Sequence, residues 1–278
     1  MMASGDIISH YSKRAEKWLT ETTAVSILHV FPEACNLVNQ KGEVLSLVDR
    51  RVGPGPFSLV LVGGRPFTDW INAETKFVVE DGQLVADGAL LDMQFAELFT
   101  ARPDWHLLRE EPSRLARFLP LIRDLLAGHN LPETAVSAAV DEKLAQAGGL
   151  IKRGLAGEEM TAWKEAARLL AGLGQGLTPT GDDFLMGVMY GLWATREEEI
   201  VLPVAGVMAE TAVPRTTTLS AAWLRAAAAG AAGWPWHELV DSLVVGWRQG
   251  VIDAVRWILA TGHSSGADAL RGFTAVLK

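Results

Sequence analysis

Residues Gly172–Gly187 read GLGQGLTPTGDDFLMG. Five glycines, one proline and two threonines surround the opening of a helix whose first turn carries the adjacent carboxylates Asp182 and Asp183. A plain link between two helices needs one or two glycines. Clustered glycines remove side-chain bulk and gather backbone N–H groups, and a free helix entrance adds orphan donors and a partial positive charge. Phosphate or carboxylate fits such a place. The stretch is not the phosphate-binding loop that ends in Gly-Lys-Ser/Thr, because none follows. It is not a dinucleotide fingerprint either, because the segment before it reads as helix rather than strand. The region around it is therefore expected to be helical.

A second segment repeats the pattern. Gly262–Gly272 reads GHSSGADALRG, and Thr180–Gly187 aligns with Ser265–Gly272 as Ser/Thr-Gly-x-Asp-x-Leu-x-Gly. The hydroxyl residue is expected as N-cap with the aspartate three residues on, as in a capping box. Asp183 and Gly187 then share a face, as do Asp268 and Gly272. Glycine there would let another helix approach closely, so the two entrances are expected to converge. Capping needs one carboxylate per helix. The surplus on the first helix points to a divalent cation, a bound ammonium-like group or proton transfer. Asp182, Asp183 and Asp268 are the candidate shell for magnesium. Asp182, Asp183 and His263 are the candidate catalytic groups; His263 stands among small polar neighbours and is a candidate acid or base. The candidate anion-binding set is Gly174, Gly176, Thr178, Thr180 and Gly181 in the first segment, and Ser264, Ser265 and Gly266 in the second. Ser220 joins it from Arg215–Arg225 (RTTTLSAAWLR), where hydroxyls and Arg215 could close over an anion. Asn36 and Arg51 join it from the first part of the chain. No Gly-x-Ser-x-Gly elbow supports a serine nucleophile, and no His-x-x-x-His pair supports a zinc hydrolase.

Outward from these segments the chain falls into two compositional halves. Ser113–Ala127, Glu133–Ala147, Glu158–Ala171 and Asp182–Thr195 read as helices, followed by Leu202–Ala212, Ser220–Ala229, Trp236–Arg248, Val251–Leu259 and Gly266–Val276. Ala24–Phe31, Leu37–Val38, Val44–Val48, Phe57–Val62, Lys76–Val79 and Gln83–Val85 read as strands, with a hairpin turn at Asp81-Gly82 and a rigid corner at Gly53-Pro54-Gly55-Pro56. The expected class is α+β: a mainly antiparallel sheet or partial barrel over 1–110, then a larger helical domain over 111–278. Leu91–Phe99 is a candidate helix closing the first domain. The formal net charge of -8 argues against nucleic acid or an anionic membrane as partner. It leaves room for a small anionic metabolite at a locally positive site. Cys35 is the only cysteine, so no intrachain disulfide forms, and it reads as a small buried hydrophobe. The opening MMASGDIISHYSKRAEKW lacks the apolar run of a secretory signal, which makes the cytoplasm the expected compartment. A homo-oligomer is left open.

Three pieces taken together, GLGQGLTPTGDDFLMG, TTTLSAAWL and GHSSGADALRGF, resemble a bacterial family that includes the AllH-type subunit of oxamate carbamoyltransferase, an enzyme of allantoin degradation. CNLVN and GPGPFSLVL near the start share in the resemblance. It implies carbamoyl transfer between carbamoyl phosphate and oxamate, with two further subunit types as partners, and it assigns no catalytic residue by itself. Two other readings stand beside it: a magnesium-dependent nucleotide- or phosphate-binding kinase-like enzyme, and a non-catalytic assembly subunit whose glycines serve helix packing.

Overall fold

In the computed structural model the described residues are 7–129, 135–157 and 159–277. The first six residues of the opening segment and the helix starts expected at Glu133 and Glu158 lie outside them. The chain divides into two units, Met1–Ala101 with Ala232–Trp234, and Arg102–Ala231 with Pro235–Lys278.

The first unit is built on strands β1 (Ile8–Ser12), β2 (Val25–Val30), β3 (Ala34–Asn39), β4 (Val44–Asp49), β5 (Ser58–Leu61), β6 (Phe77–Glu80), β7 (Gln83–Ala86), β8 (Ala89–Leu90) and β9 (Glu97–Phe99), with helix α1 at Lys13–Glu21. Six strands form one sheet in the order β2-β3-β4-β5-β1-β9, and β6-β7-β8 form another. Most pairs are antiparallel; β4–β5 and β1–β9 run parallel. The β6–β7 turn places Asp81 and Gly82 at φ 49° and 75°, the left-handed pair that a two-residue hairpin demands. Ser12 caps α1, its hydroxyl accepting from Ala15 N at 3.1 Å. The helix lays Ala15, Trp18 and Leu19 on the core face of the sheet, against Cys35, Leu37, Leu45, Leu47, Leu59 and Leu61. These alternate residues obey the two-residue period of a strand. Across the other face a buried polar row, Asn36, Ser46 and Ser58, runs through paired positions of three strands. Leu91–Phe99 is not a helix: only Glu97–Phe99 is regular, and it is the strand β9. Its pairing with β1 supplies backbone partners that outweigh a weak helical pattern.

The second unit is helical: α2 (Trp105–Glu110), α3 (Pro112–Ala127), α4 (Ala135–Gly157), α5 (Met160–Leu170), α6 (Thr180–Thr195), α7 (Glu198–Ala212), α8 (Thr218–Ala228), α9 (Trp234–Val245), α10 (Arg248–Leu259) and α11 (Ser265–Ala275), with a 3-10 turn at Val213–Arg215. α6 is its axis. Only Thr180, Met186 and Thr195 of that helix escape full burial, as expected for a helix apolar on every side. The buried aromatics satisfy their polar tips: Trp193 Nε1 donates to Ala227 O at 3.0 Å, Trp105 Nε1 to Gly230 O at 2.8 Å, and Tyr190 OH to Ala231 O at 3.2 Å. α4 does not stop at Ala147 but continues through Gly148 and Gly149 to Gly157. Packing of α5 on its last turns, with Trp163 against Gly154, offsets the roughly 1 kcal/mol per glycine that this costs. No described helix is long and apolar enough to cross a membrane.

Candidate functional site

α6 and α11 lie side by side and parallel. A Cβ on Gly187 would sit 1.8 Å from Ala269 O, one on Gly191 2.1 Å from Val276 Cγ2, and one on Gly272 2.0 Å from Phe184 O. Stepping one turn down α6 steps one turn down α11, so the two motifs meet in the register of their alignment. The approach is too close for any side chain but hydrogen. Both helices therefore start at one end of the pair, and Thr178 Oγ1 and Ser265 Oγ, 2.7 Å apart, join the two entrances.

The capping box is not formed. Thr180 and Ser265 are the first residues of their helices, and neither Pro179 nor Ser264 at the N-cap makes a side-chain cap bond. The hydroxyls are drawn to the aspartates instead. On α6 most first-turn donors are already used: Gly181 N donates to Leu173 O at 2.8 Å, and Asp182 N and Asp183 N reach Pro179 O at 2.9 and 3.1 Å. Gly181 and Gly266 face neighbouring backbone, where a Cβ would lie 2.1 Å from Leu170 O and 1.7 Å from Ile258 O. Their glycine is required by packing, whether or not a ligand binds there.

The adjacent carboxylates of α6 have separate tasks. Asp182 is a clamp. Gly172 N donates to its Oδ1 at 3.0 Å, Ser220 Oγ donates to its Oδ2 at 2.9 Å, and Thr216 Oγ1 donates to the same oxygen. Thr217 Oγ1 donates to Leu177 O and accepts from Ser220 N at 3.1 Å. The glycine loop is thereby tied to the start of α8. Burial raises the Asp182 carboxyl above its ordinary range, and the three bonds oppose that rise.

Asp183 and Asp268 form the second arrangement. The two residues are 4% and 1% exposed, and the Oδ2 of each is buried without a hydrogen-bond partner among the described residues. Such an orphan acceptor in a low-dielectric site favours the protonated form. Burial drives the Asp183 carboxyl well above its ordinary value, and the facing Asp268 adds to this, while the Ser265 and Thr178 hydroxyls pull the other way. Asp268 is also raised, by burial, against the opposing Arg271 guanidinium and the hydroxyls of Ser264 and Thr180. Arg271 Nη1 lies 3.2 Å from Asp268 Oδ1. Each carboxyl thus draws on a hydroxyl from the other motif. Thr178, Thr180, Ser264 and Ser265 are all half-buried and make a rim of hydroxyls above two carboxyls.

Residues 170–277 match the family model described as oxamate carbamoyltransferase subunit AllH. The match covers less than half of the chain, but it takes in the glycine loop, the Asp182 clamp and both aspartate motifs. It relates this stretch to that family. No curated protein and no solved structure matches the chain.

The remaining candidates are dispersed. Gly174 and Gly176 hold φ of 113° and 90° in the loop, and Gly176 is open to solvent. His263 is exposed in the turn before α11. Ser220 belongs to the Asp182 clamp. Asn36 and Arg51 belong to the first unit. Asn36 accepts from Ser46 Oγ at 2.5 Å. The Arg51 guanidinium pairs with Asp49 at 2.7 Å and Glu33 at 3.3 Å. Cys35 is fully buried, and burial pushes its thiol up to about 12, which removes it as a nucleophile at neutral pH. Among the described residues no group of three or more His, Cys, Asp or Glu is placed to hold a metal ion. The expected magnesium shell of Asp182, Asp183 and Asp268 is not assembled, because Asp182 spends both oxygens on the loop and α8. Thr216 and Thr217, central to the clamp, carry no signal in the sequence beyond the run of three threonines.

Proposed function

We propose that the α6–α11 entrance is the acid site of a carbamoyl-transferring subunit acting on oxamate or oxalurate, carbamoyl phosphate and phosphate, in company with two further subunit types. The observation that carries this reading is the pair of buried carboxyls with orphan oxygens beneath four hydroxyls, inside the stretch related to the AllH family. Protonated carboxyls suit an anionic substrate, because a neutral acid donates a hydrogen bond without repelling it. When phosphate attacks oxalurate, an oxygen–carbon bond forms at the carbamoyl carbon and the carbon–nitrogen bond to oxamate breaks. The leaving nitrogen takes a proton. Asp183 is the proposed donor and Asp268 the neighbouring carboxyl whose charge helps keep it protonated, while the rim hydroxyls orient the substrate. No metal step is invoked, since the three aspartates do not form a metal group. The test is phosphate-dependent oxamate release from oxalurate by the chain assembled with its partner subunits. Asp183→Asn in an intact assembly should lower kcat by about a hundredfold or more, the usual scale for loss of a general acid. Unchanged turnover would remove the proposal.

A second reading, a non-catalytic assembly subunit, has one observation in its favour: Gly187, Gly191 and Gly272 are consumed by helix packing. On that reading Asp183→Asn alters assembly stability and turnover in parallel, never turnover alone.

A further inference from the structure

The Arg215 segment leads away from the aspartates to a second concavity in the helical unit. A cavity of about 630 Å³ lies between α5, α7 and the 3-10 turn that ends in Arg215. Lys164, Arg168 and Arg215 line it, together with the hydroxyl residues Thr161 and Thr211 and a single acid, Glu210. Among the described residues none of the three cations has an ion-pair partner; the ion pairs of this unit lie elsewhere, at Glu198, Glu197, Glu110, Glu111, Glu159, Asp141 and Asp268. Glu210 shares the wall without closing on any of them. Lys164 and Arg168 stand one turn apart on α5, a like-charge spacing that weakens a helix by a few tenths of a kcal/mol. Arg215 gives one N–H to Thr211 O at 2.6 Å, which fixes the guanidinium and leaves its other donors. In a chain with a formal net charge of -8, three unpaired cations converging on a hollow make a local field that attracts anions. The volume falls within the range of small-ligand pockets.

We propose that this cavity is a binding site for a small multivalent oxyanion of the phosphate type, held by Lys164, Arg168 and Arg215. Arginine and lysine together supply the fork and point-charge donors such an anion takes. The site is separate from the two aspartates, yet it adjoins their support. A Cβ on Gly172 would lie 2.5 Å from Arg215 O, and the next residue, Thr216, bonds Asp182. An anion on Arg215 therefore rests against the segment that ties the glycine loop down. The proposal does not depend on the carbamoyl chemistry above.

The test is calorimetric titration of the full chain with inorganic phosphate, with sodium chloride at matched ionic strength as the control. Saturable binding to phosphate and none to chloride is expected. The double substitution Lys164→Gln with Arg168→Gln should weaken it roughly tenfold or more, while Lys164→Arg with Arg168→Lys should retain it. Glu210→Gln removes the one opposing charge and should tighten binding, a change that misfolding cannot imitate. Heats equal to those of chloride, or one dissociation constant shared by the wild type, the Gln pair and Glu210→Gln, would overturn the proposal.

Discussion

The entrances of α6 and α11 share a motif and differ in what they anchor. Both present a hydroxyl residue, a glycine against foreign backbone, a buried aspartate and a second glycine in the helix seam. α6 has Asp182 where α11 has Ala267, and only α6 therefore grips a loop and a third helix. α11 has Arg271 where α6 has Met186, and only its aspartate has a cation at 3.2 Å. The shared part of the motif makes the pair, and the unshared positions divide the work: α6 orders the glycine loop, and α11 tempers the charge.

The largest effect should come from breaking the shared part. Gly187→Ala and Gly272→Ala each force a methyl into backbone, and we expect each to cost about 3 kcal/mol or more in urea unfolding. Gly206→Ala on α7, with nothing within 4 Å of the added methyl, should instead gain roughly 0.5 kcal/mol. Next comes the clamp. Asp182→Ala leaves Gly172 N and two hydroxyls without their acceptor and should cost about 2 kcal/mol. Ala267 on α11 has no such partners to lose.

Cap changes are smaller. Thr217→Ala removes the bond to Ser220 N and should cost about 1 kcal/mol by thermal unfolding. Ser264→Ala, at an N-cap without a side-chain cap bond, loses its hydroxyl's bond to Asp268 but no cap, and should cost less, about 0.5 kcal/mol. The subtlest contrast is in pH. The folded-state values of Asp183 and Asp268 are raised above the ordinary 3.8. Their contribution is full below that value and is lost as pH rises through the folded values, because the unfolded chain releases these protons first. Asp183→Asn should flatten the decline in stability above about pH 4. Asp268→Asn should flatten it less, since Arg271 already eases that ionisation. Equal slopes in both variants would show that Arg271 does not distinguish the two carboxyls.

Much of the helix pairing is legible in the chain, because glycine and aspartate recur at one spacing in both segments. The α+β division is legible too, since Val44–Asp49 and Ser58–Leu61 are short apolar runs set between glycine- and proline-bearing turns while the later half repeats alanine and leucine at helical spacing. What escapes is nonlocal. Asp182 reads as a ligand group because its partners come from two other places, Gly172 at the head of the glycine loop and Thr216 with Ser220 at the start of α8, and none is marked by spacing. α1 escapes because KRAEKWLTE has one short apolar face, which becomes decisive only when Trp18 and Leu19 find the sheet. Leu91–Phe99 misleads because its one regular stretch is made by a neighbour, β1, at the far end of the unit's sequence.

The glycine seam also limits how this part of the protein can move. Gly187 receives Ala269 while Gly272 receives Phe184, so each helix carries the other's notch. A slide by one turn, about 5.4 Å, would bring side chains over those notches and jam. Shear is blocked and only prying apart is allowed. The depth of Asp183 relative to Asp268 is therefore set like a key against its wards, and a ligand of the proposed acid site would meet two acids whose relative height does not have to be adjusted.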